Sequence, residues 1–219
     1  METCELTGKW RIKVFYNLFV DLAIDRFVSA ENAYIELNKQ ENELPDDTTY
    51  KLVAEIRKCC IETICFTAMA LESFINTFAA SNISESFAET IDRLDVPSKW
   101  ILTMQVGKGI QLKKGEKPIQ RIAKCVQLRN AFVHNKSKPL YCCKECGSLH
   151  IPNMDLLNDY ILPANEALKA IEDSSNWIDN NWDKGTLNFE VEYMNKKIKD
   201  KYKTVDNTWT FIEPTVLFN

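Results

Sequence analysis

Histidine is scarce in this 219-residue chain: there are two, His134 and His150. Chemistry that needs two imidazoles side by side must therefore join distant segments or two copies of the chain. No apolar run approaches the roughly 20 residues that cross a bilayer, so no membrane partner is expected. The start, "METCELTGKW", lacks the basic segment and apolar stretch of a secretion signal. These absences predict a cytoplasmic protein. Strand signals are few, and neither an internal repeat nor a low-complexity segment is present.

What is there suits an ordinary globular protein. With 45% hydrophobic and 26% charged residues, the chain can bury a core of its own. Of the eight cysteines, Cys59, Cys60, Cys65 and Cys125 fall in apolar helical patterns, where a free thiol packs as a small hydrophobe. A disulfide framework is not expected in so long a chain.

The periodicity predicts an all-α protein. Residues 9–40 repeat apolar side chains at three- and four-residue spacing until the polar "ENELPDD". A second helix, capped by Asp47 or Thr48 and ending near Asn82, is apolar on most faces and should be central. "SESFAETIDRL" reads as a short helix capped by Ser84, and "VPSKWILTMQV" as another with Pro97 near its start. Gly107, Gly109, Gly115 and Pro118 then predict a basic loop. From Pro118 a helix should run to about Lys136–Lys138, where Pro139 stops it. A hairpin-like turn is expected near Gly147, then a last helix over 155–181, interrupted or bent near Pro163. The helical domain spans 1–184 with an insert at 140–153. A mixed extension, 185–219, contains the strand-like "LNFEVEY".

Charge is unevenly spread. Between Lys108 and Lys138 nine basic residues face one acid, Glu116, a local balance of +8 in a chain whose total is −4. Clustered Lys and Arg attract nucleic-acid phosphates, which makes RNA the expected partner and Lys108, Lys113, Lys114, Lys117, Lys136 and Lys138 its candidate contacts. A solvated face explains such runs as well.

The segment leads into "QLRNAFVHNKSKP", residues 127–139. On an α-helix Asn130 and His134 lie about 40° apart, whereas Arg129 and His134 are about 140° apart. Arginine's reach, fraying before Pro139, or a symmetric dimer can bring the two to one phosphate. Cleavage of RNA by its own 2′-hydroxyl needs a base, an acid and a cation for the developing charge. One chain offers a single suitable histidine here, and a homodimer offers two. A helix-end histidine that merely complements the helix dipole is the bland alternative.

"RNAFVH" resembles the R-x4-6-H motif of HEPN domains, in which a polar residue, frequently asparagine, follows the arginine. Arg129, Asn130 and His134 match it position by position, and "MALESFIN" at residues 69–76 resembles a segment of an earlier HEPN helix. The resemblance covers roughly residues 10–180 and implies a HEPN-like helical bundle. Many HEPN proteins are metal-independent endoribonucleases, often toxins or antiviral effectors, with the active site where two motif helices meet in a dimer. By that resemblance His134 is the general acid/base, Arg129 holds the scissile phosphate, Asn130 orients either, and catalysis needs no cofactor. A neutralising antitoxin or nucleotidyltransferase is the implied further partner. Other members are non-catalytic RNA- or nucleotide-binding modules, and a helical interaction protein is the remaining alternative.

Glu72 is an acid in an otherwise apolar helix, which must be solvated, paired or functional. Pairing with Arg129 would draw it into the site; pairing with a lysine elsewhere would not. In the insert, Cys143-x2-Cys146 has a spacing that suits tetrahedral zinc, with Cys142 and His150 as further ligands. Loop cysteines or a reversible disulfide fit the same residues, and any zinc there would be structural.

Overall fold

Two long antiparallel helices carry the centre of the fold. The computed structural model describes residues 15–39, 47–134, 141–142, 149–150 and 155–181. The first helix, α1, runs Phe15–Lys39 and the second, α2, runs Asp47–Asn82. The Thr63 hydroxyl donates to the Ala23 carbonyl at 3.3 Å and Arg26 pairs with Glu62 at 3.5 Å, which fixes their opposed direction. Ile56, Cys60, Ile64, Leu71, Phe74 and Phe78 of α2 are all buried. By length and composition α2 could cross a membrane, contrary to the sequence expectation. Yet 56% of its most apolar window is buried, as suits the core helix of a bundle.

Local signals set most boundaries. Ser84 accepts the Phe87 amide at 3.1 Å and so caps α3, Glu85–Ile91. Asp95 accepts the Ser98 amide at 3.0 Å and caps α4, Val96–Lys108, with Pro97 in its first turn. Gly107 lies inside α4 rather than in a loop. Gly109 ends the helix in the left-handed region at φ 68°, and its N–H bonds the Gln105 carbonyl. Trp100 of α4 is buried, stacks on Phe74 at 5.5 Å and donates Nε1–H to the Leu71 carbonyl at 3.3 Å. Burying a side chain of that size contributes about 1.5–3 kcal/mol.

Helix α5 is Lys117–Val133, ending at His134 and not at Lys136–Lys138. His134 leaves helical geometry at φ −106°, ψ 24°, so the helix stops before proline has to stop it. Two short antiparallel strands, β1 Tyr141–Cys142 and β2 Leu149–His150, form the expected hairpin. A π-helical turn, Leu157–Ile161, then leads into α6, Leu162–Asn181. Pro163 has no N–H to continue an α ladder, and the Leu162 amide bonds back to the Leu157 carbonyl, widening the turn. Helices α5 and α6 are antiparallel: Lys117 and Arg121 reach Asp173 at 3.4 and 3.0 Å, while Phe132 stacks on Tyr160. Residues 9–14 and 40 of the expected first helix and "LNFEVEY" lie outside the described residues.

Candidate functional site

The RNAFVH segment forms the last turns of α5. Arg129 follows the buried Cys125 by one turn on the same face and is therefore half-buried. Asn130 and His134 share the neighbouring, exposed face. Asn130 links the two faces. Its Oδ1 accepts Arg129 Nε–H at 3.1 Å, and its carbonyl accepts the His134 amide at 2.9 Å. The asparagine expected to orient histidine or phosphate thus holds the arginine with its side chain, and its main-chain bond to His134 is the ordinary helical one.

Helix α2 forms one wall. The Cys125 thiol meets the Ile64 carbonyl at 3.9 Å. Because α5 runs against α2, stepping seven residues along each brings Phe132 level with Arg57, and contacts bear this out. Phe132 stacks on Tyr160 at 6.1 Å, and the Arg57 guanidinium lies 5.5 Å over the same ring. Thiols here are inert. Burial pushes the Cys125 thiol up to about 12 and raises Cys65, each against the opposing influence of Arg129. Among the described residues neither Arg129 nor Arg57 has a carboxylate within ion-pair distance, whereas Arg26 and Arg121 each do.

Other predicted site residues lie elsewhere. Glu72 receives Lys99 Nζ at 2.7 Å, and Lys99 is 1% exposed with Asp92 as a second partner at 3.7 Å. Along α2 Glu72 is about 18 Å from the level of Arg129, so within one chain the two do not pair. The basic loop begins at the far end of α5. From Lys117 to His134 is about 25 Å along the helix. Lys113 and Lys114 are exposed, Lys117 is held by Asp173, and Lys108 closes α4. Lys136 and Lys138 lie outside the described residues.

In the hairpin, Tyr141 faces His150 and Cys142 faces Leu149. Cys143 and Cys146 are outside the described residues. Among those described, no group of three or more His, Cys, Asp or Glu is placed to hold a metal ion.

Arg57, Tyr160 and Phe132 are site neighbours that the sequence alone did not single out. Their alignment depends on a register between segments about 75 and 100 residues apart. No family model, curated protein or solved structure matches the chain, so the chemistry of the site rests on these residues.

Proposed function

We propose that the chain is a HEPN-type helical bundle acting as a metal-independent endoribonuclease, a cytoplasmic toxin or defence effector whose site two copies complete. The observation that carries this reading is the bond from Arg129 to Asn130, which turns an arginine with no carboxylate partner among the described residues towards the helix face that exposes His134. Arg129 then has N–H groups free for phosphate oxygens, and His134 is open to solvent. RNA supplies its own nucleophile. His134 of one copy takes the 2′-hydroxyl proton, the 2′-oxygen bonds to phosphorus, and the bond from phosphorus to the 5′-oxygen breaks. The partner's His134 gives that oxygen a proton, while Arg129 neutralises charge on the phosphate. The products are a 2′,3′-cyclic phosphate end and a 5′-hydroxyl end.

Histidine is scarce, and in this reading a second copy supplies the second imidazole, His150 belonging to the short hairpin that follows α5. Zinc at the hairpin has no part in these steps. A neutralising partner such as an antitoxin or nucleotidyltransferase would act by covering the exposed end of α5.

Cleavage of single-stranded RNA in EDTA tests the proposal. The wild type should cut and sediment as a dimer, and His134→Ala and Arg129→Ala should each lose on the order of 10²–10⁴ in rate with the fold intact. Binding without turnover by the wild type would leave the reading as a silent RNA-binding module. An active monomer would overturn the shared site.

A further inference from the structure

An exposed arginine on the central helix of the bundle is costly to hold in one place unless something holds it. Arg57 is such a residue, and its position repeats none of the uses made of the other basic side chains on this side of the bundle. Its neighbour Lys58 is spent on Glu55 at 2.9 Å, and Arg26 leans on Glu62. Arg57 has no carboxylate among the described residues and instead lies over the Tyr160 ring. Tyr160 is in turn backed by Phe132, which is part of the RNAFVH segment itself. The guanidinium is therefore oriented by a face-on contact that leaves its N–H edge unused.

The level at which this happens is informative. Arg57 stands opposite Phe132, three residues past Arg129 and two short of His134. Along the bundle axis it falls between the two motif residues, about 4.5 Å from the level of the arginine. Two guanidinium groups without carboxylate partners among the described residues, one on each of two packed helices, thus lie level with the end of α5 where the histidine is exposed. Standing on different helices, the two guanidinium groups can each take one phosphate of a flexible strand.

We infer that Arg57, steered by Tyr160 on Phe132, holds the phosphate next to the scissile one and so selects single-stranded RNA that can lay successive phosphates from α5 to α2. The inference rests on the ribonuclease reading above. Arg57 touches substrate in this scheme, and Tyr160 is a positioning residue that acts through it. A rigid duplex would not bend two adjacent phosphates of one strand onto both helices.

The test is binding of a fully 2′-O-methylated, single-stranded RNA of mixed sequence, which keeps the phosphates and lacks the nucleophile. Arg57→Ala should weaken affinity about tenfold and lower the slope of log affinity against log salt by roughly 0.7, the loss of one phosphate contact on a single strand. Arg57→Lys should restore most of the slope. Tyr160→Leu should weaken binding as Arg57→Ala does, and Tyr160→Phe should not, because the ring and not the hydroxyl carries the guanidinium. With cleavable RNA, Arg57→Ala should raise KM more than it lowers kcat. Unchanged affinity and slope in Arg57→Ala, with the wild type still cutting RNA, would overturn the inference and leave the ribonuclease reading standing. A wild type that neither binds nor cuts RNA would remove both. Arg57-dependent binding by a wild type that does not cut would keep the phosphate contact and reject the chemistry.

Discussion

Arg129 is fastened to the residue next to it: its Nε–H donates to Asn130 Oδ1 at 3.1 Å. Successive residues on a helix normally point apart, so this bond uses the length of the arginine to turn its head towards the exposed face. Asn130→Ala should free that head without disturbing the core, because Asn130 itself is exposed. We expect RNA cleavage to fall tenfold to a hundredfold, the size of a misplaced catalytic group, with stability changed by less than about 0.5 kcal/mol. Initial rates beside urea unfolding check both halves. A rate equal to wild type would mean the bond does not set the arginine.

Glu72 should prove structural. Its carboxylate is the nearest partner of the buried Lys99 ammonium, with Asp92 farther off at 3.7 Å. Glu72→Gln leaves that ammonium under-compensated and should cost about 3 kcal/mol. Urea unfolding measures the loss, and cleavage per folded molecule should stay at the wild-type level. Lys99→Met should cost less, since the stem stays packed and Glu72 keeps some water. A cleavage defect in folded Glu72→Gln would return this acid to the active site.

Glu31 predicts a pH dependence. Burial lifts its carboxyl from the usual range to about 7. A carboxyl raised on folding binds its proton more tightly in the native state, so its contribution to stability falls as pH climbs from about 4.5 through 7. Above that window the native protein carries a poorly solvated carboxylate. Glu31→Gln should therefore stabilise the protein by roughly 1–3 kcal/mol at pH 8 and change little at pH 4.5. Thermal melts at the two pH values read the difference. An equal effect at both would place the cause elsewhere than in ionisation.

The basic loop should matter for long substrates and not for short ones. Lys113 and Lys114 are exposed at the end of α5 away from His134, about 25 Å along the helix. Replacing both with glutamine should weaken binding of a long RNA and lower its salt slope by roughly 1.4, while the cleavage of an oligonucleotide too short to span α5 stays unchanged. Lys117 should add less, because Asp173 already neutralises it. Loss of short-substrate cleavage would mean that the partner copy brings its loop to the site.

Helix starts were legible because each is written locally. Ser84 caps the next residues along the chain, Pro97 sits in the first turn it announces, and Asn82 and Pro163 mark an ending and a disturbance where they stand. The motif residues were legible for the same reason: Arg129, Asn130 and His134 lie within six residues at the end of one helix. What the sequence did not disclose is every relation between helices. Glu72 had lysines and arginines to choose from, and only the packing of α4 on α2 selects Lys99. The +8 segment looked continuous, yet Asp173 of α6 draws Lys117 and Arg121 at its centre onto one carboxylate. Arg57 reads as one polar residue among many until α5 and the turn before α6 meet it.

The widened turn that carries Tyr160 is, in effect, an α-helix with one residue too many. Deleting Ile161, the residue of this turn that follows Tyr160, would let the ladder close at its normal spacing, and α6 beyond it would keep its packing on α5. Everything before the deletion would then swing by about 100° around the helix axis. Tyr160 would leave the underside of Arg57 with no atom of the α5 motif altered, so an insertion more than twenty residues downstream of His134 sets the aim of an arginine more than seventy residues upstream of it.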